Sequence, residues 1–421
     1  MARSGDWITP RLWGVPWFEK PALLYWMTGV GSLLGLGPEN APRLPVALTA
    51  FALIVWMFRY LKPRVGCGIG LHSAILLAGT VGWLGFGSVG VTDVPLTTSL
   101  TVCLLLVVFG GPAWLAGAFL GLAVMAKGLV PVALFLPVVW WLYRKQRLGD
   151  LLWICGICLL IAGPWYAAMT VRFGRAFIDE FIVKHHFARA VSDSIQHVRP
   201  VWFYVPALAG AMLPWTGLLP FVFQGKVLKD DRMRFLAIWA LFGFVFLSLV
   251  RNKLPGYILP LVPVLCILIA AALEDFEWTG VILAVTSAVL VTFGLIVMPA
   301  LPQLIKEGWT RTSMGGVRAA YVFAGVAVGF CVWWIARAKR TTLALCAVCA
   351  IGFAGLLGIK SGPMAGEIDR FATSRPLSMT APKDGCVHPA DRDLRYGLSY
   401  YWKFEVPECD DDTLDKRIFK P

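Results

Sequence analysis

Glutamate and lysine stand side by side near the amino terminus, in the segment Phe18-Glu19-Lys20-Pro21. A lysine offers an anionic ligand a point charge with three hydrogen-bond donors. The surrounding stretch, residues 4–26, is too polar and too rich in proline and glycine to cross a bilayer, and it is too aromatic to be a free tail. Such a segment is typical of the membrane–water boundary. Two interpretations of the charge pair stay open: an anion-binding site, or a surface ion pair that begins an interfacial helix.

Asp93 and Lys127 are charged residues next to long apolar runs. Asp93 is followed by Pro95, and this order is common at the start of a helix, so an N-cap is the alternative to a chemical role for the carboxylate. Lys127 is followed by Gly128 and interrupts an apolar stretch. A lysine there is costly unless it lies at a helix end or faces a polar cavity, and the alternative is a snorkelling anchor.

The loop of residues 163–200 has the richest set of polar candidates, in the pattern HHFARAVSDSIQHVRPVWFYVP. The planar guanidinium of Arg189 suits an oxyanion. For His185 and His186 the alternative is ordinary surface polarity. A later turn, RNKLPGY, contributes Lys253 and Tyr257, whose residue types are also common interfacial anchors.

The composition of the chain indicates a membrane protein. Of 421 residues, 58% are hydrophobic and 15% are charged, and a soluble domain does not carry such a surface. The formal net charge of +13 then indicates basic cytoplasmic loops and anionic lipid headgroups. No nucleic-acid motif occurs, so nucleic acid is excluded as a partner.

The elements that must position the candidates are apolar runs of about 15–20 residues, near the length that a bilayer requires. An interfacial helix after Lys20 precedes them, since the leucines and other apolar residues at 23–34 share one helical face. The sequence therefore predicts an all-α polytopic protein with roughly twelve transmembrane helices. The runs are 42–58, 69–87, 95–109, 113–126, 129–143, 151–169, 201–223, 235–250, 257–273, 281–298, 317–336 and 343–359.

Basic clusters orient these runs. If every run spans the membrane once, all four clusters of arginine and lysine fall on the same side of it, and that side is the cytoplasm. The clusters lie at 59–64, 144–147, 226–234 and 337–340. All candidate residues then lie on the outer face. We divide the chain into an outer loop and interfacial helix (1–40), a transmembrane domain (41–359) and a small mixed outer domain (360–421), in which Cys386 and Cys409 would pair if the tail is outside.

The chain contains five short motifs whose order and spacing resemble those of a known family: SGDWITP, FEKPALLYW, Arg43-Leu44-Pro45, Lys127-Gly128 and KLPGY. The chain is similar, from residue 4 to about residue 263, to polyprenyl-phosphate-sugar-dependent glycosyltransferases of the GT-C fold. Bacterial aminoarabinose transferases of lipid A modification are the nearest, followed by protein O-mannosyltransferases.

The resemblance implies transfer of a sugar from a polyprenyl (undecaprenyl) phosphate to a lipid A-like or protein acceptor, at the outer face of the inner membrane. It implies that Asp93 is catalytic and that the donor is bound by Glu19, Lys20, Lys127, Arg189, Lys253 and Tyr257. It also implies, without establishing it, a divalent metal, zinc or magnesium, at Glu19 and His186.

Two alternatives remain at this point. A transporter or lipid flippase would favour charges at mid-span and related halves with broken helices, and neither occurs in the sequence. An inactive, truncated paralogue is the other, because relatives have an earlier span followed by an acidic motif with the principal catalytic aspartate. We therefore expect a span before Met1. The identities of the sugar and of the acceptor are open.

Overall fold

The computed structural model describes residues 1–2, 4–181, 183, 198–224, 227–273, 278–307, 318–361, 366, 373–389, 391–409 and 417–418. Most of this chain is helical, as predicted. The α-helices are α1 (Leu23–Leu33), α2 (Asn40–Val65), α3 (Cys67–Gly79), α4 (Val81–Gly87), α5 (Asp93–Val108), α6 (Ala113–Lys127), α7 (Val130–Arg144), α8 (Leu148–Phe173), α9 (Arg175–Phe177), α10 (Tyr204–Ala211), α11 (Asp231–Leu249), α12 (Val262–Leu273), α13 (Thr279–Glu307), α14 (Ala319–Arg337), α15 (Thr341–Ser361), α16 (Arg375–Thr380) and α17 (Arg392–Trp402). Segments of 3₁₀ helix lie at Val201–Phe203, Thr216–Phe223, Val227–Lys229 and Pro255–Leu261.

A small hairpin precedes the first helix. Strand β1 (Arg11–Leu12) pairs with β2 (Val15–Pro16) in an antiparallel ladder. The turn residues Trp13 and Gly14 both have positive φ, of 53° and 83°, which is the geometry that best joins two twisted strands. Helix α1 then begins three residues after Lys20, as the apolar spacing predicts.

All twelve predicted runs coincide with helices, but they are not equally long. Among the described residues, seven helices are long and apolar enough to cross a membrane, and up to nine spans result if each of two bent pairs counts as one. Helices α5, α6 and α7 have only 15 or 16 residues, which gives about 24 Å at 1.5 Å per residue. Because the hydrocarbon core is about 30 Å thick, the count of twelve spans stays a prediction.

Two predicted runs are bent, where the sequence pattern indicates one continuous span. Helices α3 and α4 meet at 61°, because Thr80 between them is extended, with ψ 123°. The segment Val201–Ala211 meets Thr216–Phe223 at 112°. Pro214 and Trp215 lie at this second bend, where the proline lacks a backbone donor.

The chain forms two compact units. The first comprises residues 1–283 and 335–349, and the second comprises 284–334 and 350–421. All the predicted site residues that the structure describes lie in the first unit. The predicted domain boundaries after residues 40 and 359 stay predictions.

Helix α5 is the centre of the first unit, since every residue from Val94 to Val108 is buried. Helix α6 packs closely on α8 through Gly117 and Gly121. A Cβ at Gly117 would lie 2.7 Å from the carbonyl oxygen of Ile154, and one at Gly121 would lie 2.7 Å from Cβ of Ile161. Glycines four residues apart thus let the two backbones approach, a common device in membrane helices.

Alanine at Gly117 is expected to lower the free energy of unfolding by about 1–3 kcal/mol, because the new methyl group forces α6 and α8 apart. Gly156→Ala is the matched control, since a Cβ there meets no described atom within 4 Å. Thermal unfolding in detergent, followed by tryptophan fluorescence, compares the two variants. Equal stability of both would contradict the packing.

The four basic clusters gather at one end of the first unit, as the charge pattern predicts. Arg147 donates to the carbonyl oxygen of Val107, at the end of α5, over 3.0 Å, and Lys145 pairs with Asp231 over 2.5 Å. A Cβ at Gly111, in the loop after α5, would lie 2.7 Å from the hydroxyl of Tyr60 in the first cluster. The fourth cluster reaches the same end through Thr342, whose hydroxyl lies 3.0 Å from His72 in α3. This end is the cytoplasmic one by the positive-inside rule.

The tail has its own core within the second unit. Helix α17 contributes Leu394 and Leu398, which cluster with Val387, Val406 and Ile418. A disulfide joins Cys386 and Cys409, the pair predicted for an outer tail. Disulfides persist outside the cytoplasm, so this bond agrees with an outer location. Residues 392–402 of this tail are helical.

Candidate active site

An ion pair between Asp93 and Lys127 is the centre of the candidate site. Asp93 is the first residue of α5 and Lys127 is the last residue of α6. The Lys127 ammonium donates to Oδ1 of Asp93 over 2.5 Å, and the two side chains are only 8% and 13% exposed. Asp93 therefore pairs across the bundle, whereas the N-cap position belongs to Thr92. Lys127 does not extend to the surface as a snorkelling anchor would.

The end of α6 explains how Lys127 reaches this position. Gly128 has φ 69° and ψ −130°, a backbone conformation that only glycine adopts readily. It stops the helix directly after the lysine and turns the chain away. The pairing of lysine with glycine in the sequence is thus a requirement of the turn, and it leaves the ammonium at the end of the bundle opposite the basic clusters.

Tyr257 covers the ion pair from a third segment. The Lys127 ammonium lies 4.0 Å from the centroid of the Tyr257 ring, a distance typical of a cation–π contact. A Cβ at the preceding Gly256 would lie 3.2 Å from Cγ of Asp93 and 2.8 Å from the ring of Phe86. Glycine is needed there because the backbone passes directly beside the carboxylate.

Lys253 lies in the same turn, but its ammonium bonds to the backbone of a different chain segment. Its side chain is 2% exposed, and its ammonium donates to the carbonyl oxygen of Arg199 over 3.0 Å. Burial lowers the pKa of this lysine. Direct contact of Lys253 with a substrate stays a prediction.

The segment Phe18-Glu19-Lys20-Pro21 (FEKP) packs against α6 near the site through its apolar residues. Phe18 and Ala22 are buried in a cluster with Val124 and Met125, which lie three and two residues before Lys127 in α6. Glu19 and Lys20 are half-buried between them. Burial, and then the negative charge of Glu19, raise the pKa of Tyr25 to about 12. The structure thus brings the predicted charge pair to the same end of the bundle as Lys127.

The loop before FEKP is fixed by a contact that the sequence analysis missed. Oδ1 of Asp6 accepts the backbone N–H groups of Ile8 and Thr9, both over 3.1 Å, and Arg172 in α8 pairs with Asp6 over 3.0 Å. Burial alone would raise the pKa of Asp6, but the two N–H groups and Arg172 outweigh it and hold the pKa at about 2. An aspartate whose carboxylate accepts the backbone N–H groups two and three residues later is a common turn signal. This signal was present in the sequence.

Two predicted residues, Arg189 and His186, lie outside the described part of the chain. Of the described residues on either side, Phe181 belongs to the same buried cluster as Phe18, and Val198 bridges to Asn252 in the Tyr257 turn. Their predicted roles stay predictions.

A metal at Glu19 also stays a prediction. Within the described ranges, no group of three or more histidine, cysteine, aspartate or glutamate side chains is arranged to hold a metal ion. One carboxylate beside a phenol does not make a zinc or magnesium site on its own.

Comparison with known proteins connects this site to a family. No family model matches the chain. An undecaprenyl phosphate-alpha-4-amino-4-deoxy-L-arabinose arabinosyl transferase of Pseudomonas fluorescens is 30% identical, over 97% of this chain and 76% of its own length. The chain belongs to this arabinosyl transferase family. An enzyme of the same name from Pseudomonas aeruginosa is 31% identical, over 71% of this chain and 57% of its own length.

A solved structure shows the same fold. ArnT from Cupriavidus metallidurans, bound to undecaprenyl phosphate, superposes with a TM-score of 0.76 at 24% identity, over 98% of this chain and 79% of that one. The predicted family, the GT-C-type fold and the multi-pass membrane architecture are thereby confirmed, and the enzyme class of the family is that of glycosyltransferases. The chain spans 76% of one curated relative and little more than half of others, such as 53% of the Serratia proteamaculans enzyme.

Proposed function

We propose that this arabinosyl transferase family member moves aminoarabinose from undecaprenyl phosphate to a lipid A-like acceptor at the outer face of the inner membrane. The observation that carries the proposal is the buried Asp93–Lys127 pair. It lies beside the FEKP segment and opposite the basic cytoplasmic end. A cation at an outer helix end, shielded from water, suits a lipid phosphate.

The proposed reaction is a direct displacement with inversion. An oxygen of the acceptor forms a bond to the anomeric carbon of the sugar, while the bond from that carbon to the donor phosphate oxygen breaks and the phosphate leaves with the electron pair. Lys20, Lys127 and Arg189 offset the negative charge that grows on the leaving phosphate. Oδ1 of Asp93 holds Lys127, and we assign Oδ2 to the acceptor, where it orients the oxygen or takes its proton.

In the proposed reaction, Tyr257 and Glu19 position the two lysines. Tyr257 limits the positions of the Lys127 ammonium, because its ring lies against that group. Glu19 holds the neighbouring Lys20 for the phosphate. A protein acceptor is the alternative to lipid A, since the geometry of the described residues favours neither.

Reconstituted protein tests the proposal. Proteoliposomes that contain the protein, undecaprenyl phosphate-aminoarabinose and lipid A are expected to yield lipid A whose mass is increased by one aminoarabinose residue. Movement of the donor lipid between leaflets without transfer would favour the flippase alternative. Binding of undecaprenyl phosphate without either activity would favour the inactive paralogue.

A further inference from the structure

Among the described residues beside the candidate site, Lys253 is the most deeply buried cation. Its side chain is 2% exposed, in a loop rather than inside a helix. A buried ammonium is costly unless it is hydrogen-bonded. The bond that the structure shows goes to a backbone carbonyl oxygen, that of Arg199, which is not part of any acidic side chain.

This bond belongs to a small set of contacts between two chain segments. The N–H of Arg199 donates to the carbonyl oxygen of Arg251 over 3.2 Å, and Val198 and Asn252 form an antiparallel bridge. The hydroxyl of Tyr204 donates to the carbonyl oxygen of Leu254 over 3.2 Å. The bridge includes the bond between Arg199 and Arg251, so residues 198–204 are fastened to residues 251–254 by at least three hydrogen bonds, and Lys253 contributes a charged donor.

The turn of residues 251–257 leads to the site. Four residues after Lys253, the ring of Tyr257 covers the Lys127 ammonium. Val198 and Arg199 are joined to this turn where Lys253 bonds to Arg199.

We infer that Lys253 is a positioning residue, which fixes residues 198–200 on the turn of residues 251–257 and so sets the affinity for the lipid donor. It acts through backbone placement and does not touch the donor. This inference rests on the proposed function for its kinetic consequence, while its structural consequence can be measured without any transfer.

Lys253→Met tests the inference, because methionine keeps the length and volume of the side chain and removes the donor. Hydrogen exchange of the protein in detergent is expected to rise in the peptides that cover residues 198–204 and 251–257. Exchange at the opposite, basic end of the first unit, in the peptide that covers residues 142–150, is expected to stay unchanged. If exchange at residues 198–204 is unchanged in Lys253→Met, the inference is overturned, whatever the activity.

Kinetics supply the second measurement. In Lys253→Met the KM for undecaprenyl phosphate-aminoarabinose is expected to rise about tenfold or more, with kcat within about threefold, since one bond from a charged donor is lost. Lys253→Arg, which can still donate to Arg199, is expected to recover most of the affinity. An unchanged KM, or no recovery with arginine despite restored exchange protection, overturns the inference.

The exchange measurement and the kinetic measurement together distinguish failure of the inference from failure of the proposed function. Wild-type protein that does not transfer the sugar would refute the proposed function, and binding of undecaprenyl phosphate then replaces KM as the affinity measure. If Lys253→Met does not fold, Lys253→Leu, which also removes the donor, takes its place in both arms, with the same expected direction.

Discussion

Lys127→Met is expected to reduce sugar transfer at least about a hundredfold, the usual cost of losing one group that stabilises charge in a transition state. The same change is expected to lower the free energy of unfolding by about 3–5 kcal/mol, because it leaves the Asp93 carboxylate buried and unpaired. Both side chains are largely shielded from water, so water does not compensate for the missing partner. Transfer in proteoliposomes and thermal unfolding in detergent measure the two effects.

A double variant separates the two effects of Lys127. Asp93→Asn combined with Lys127→Met removes both charges, so most of the lost stability is expected to return, because no unpaired charge is left. Transfer is expected to stay absent, because the cation for the phosphate is still missing. Transfer near the wild-type level in the double variant would show that the ion pair is purely structural and would contradict the proposed role of Lys127.

Lys20→Ala and Glu19→Ala are expected to abolish transfer while the protein still inserts and folds. The packing of this segment comes from Phe18 and Ala22, which are buried, whereas Glu19 and Lys20 are half-buried. Loss of the Lys20 charge removes one of the cations assigned to the donor phosphate. Transfer assays on membrane-inserted, monodisperse protein measure the effect.

Two control variants make this prediction specific. Arg175→Ala removes an exposed cation that follows α8 on the same side of the protein, and its transfer rate is expected to equal that of the wild type. Phe18→Ala is expected to act through stability, by about 3–5 kcal/mol, because it empties a position in an aromatic cluster. Full activity of both Lys20→Ala and Glu19→Ala would refute their assigned roles.

Much of the fold was predictable because the bilayer imposes simple rules on the sequence. The lengths of the apolar segments predicted the helices, and the positions of arginine and lysine predicted their orientation in the membrane. The clusters at 59–64 and 144–147 meet at one end of the structure because that rule acts on every span separately. The bend at Thr80 was not predictable, since threonine is equally compatible with a straight helix and the bend depends on the packing around it.

The site was predictable in its residue types but not in its contacts. Tryptophan-rich motifs with an adjacent glutamate and lysine indicated the first loop, but they did not indicate that Asp6 fixes this loop through Ile8, Thr9 and Arg172. Lys253 and Tyr257 belong to the same turn and were given the same role. In the structure one bonds to a backbone carbonyl and the other lies against Lys127, because side chains two or more residues apart in an irregular turn point in different directions.

By itself the sequence determined that this protein lies in a membrane, which end of its helices faces outward, and which charged residues occur at that end, because hydropathy and charge act locally along the chain. Only the tertiary structure decided that Asp93 pairs with Lys127, 34 residues away, and that Tyr257 covers them. The physical reason is that an ion pair is formed by distance in space, and the packing of α5 on α6 and on the Pro255–Leu261 turn sets that distance.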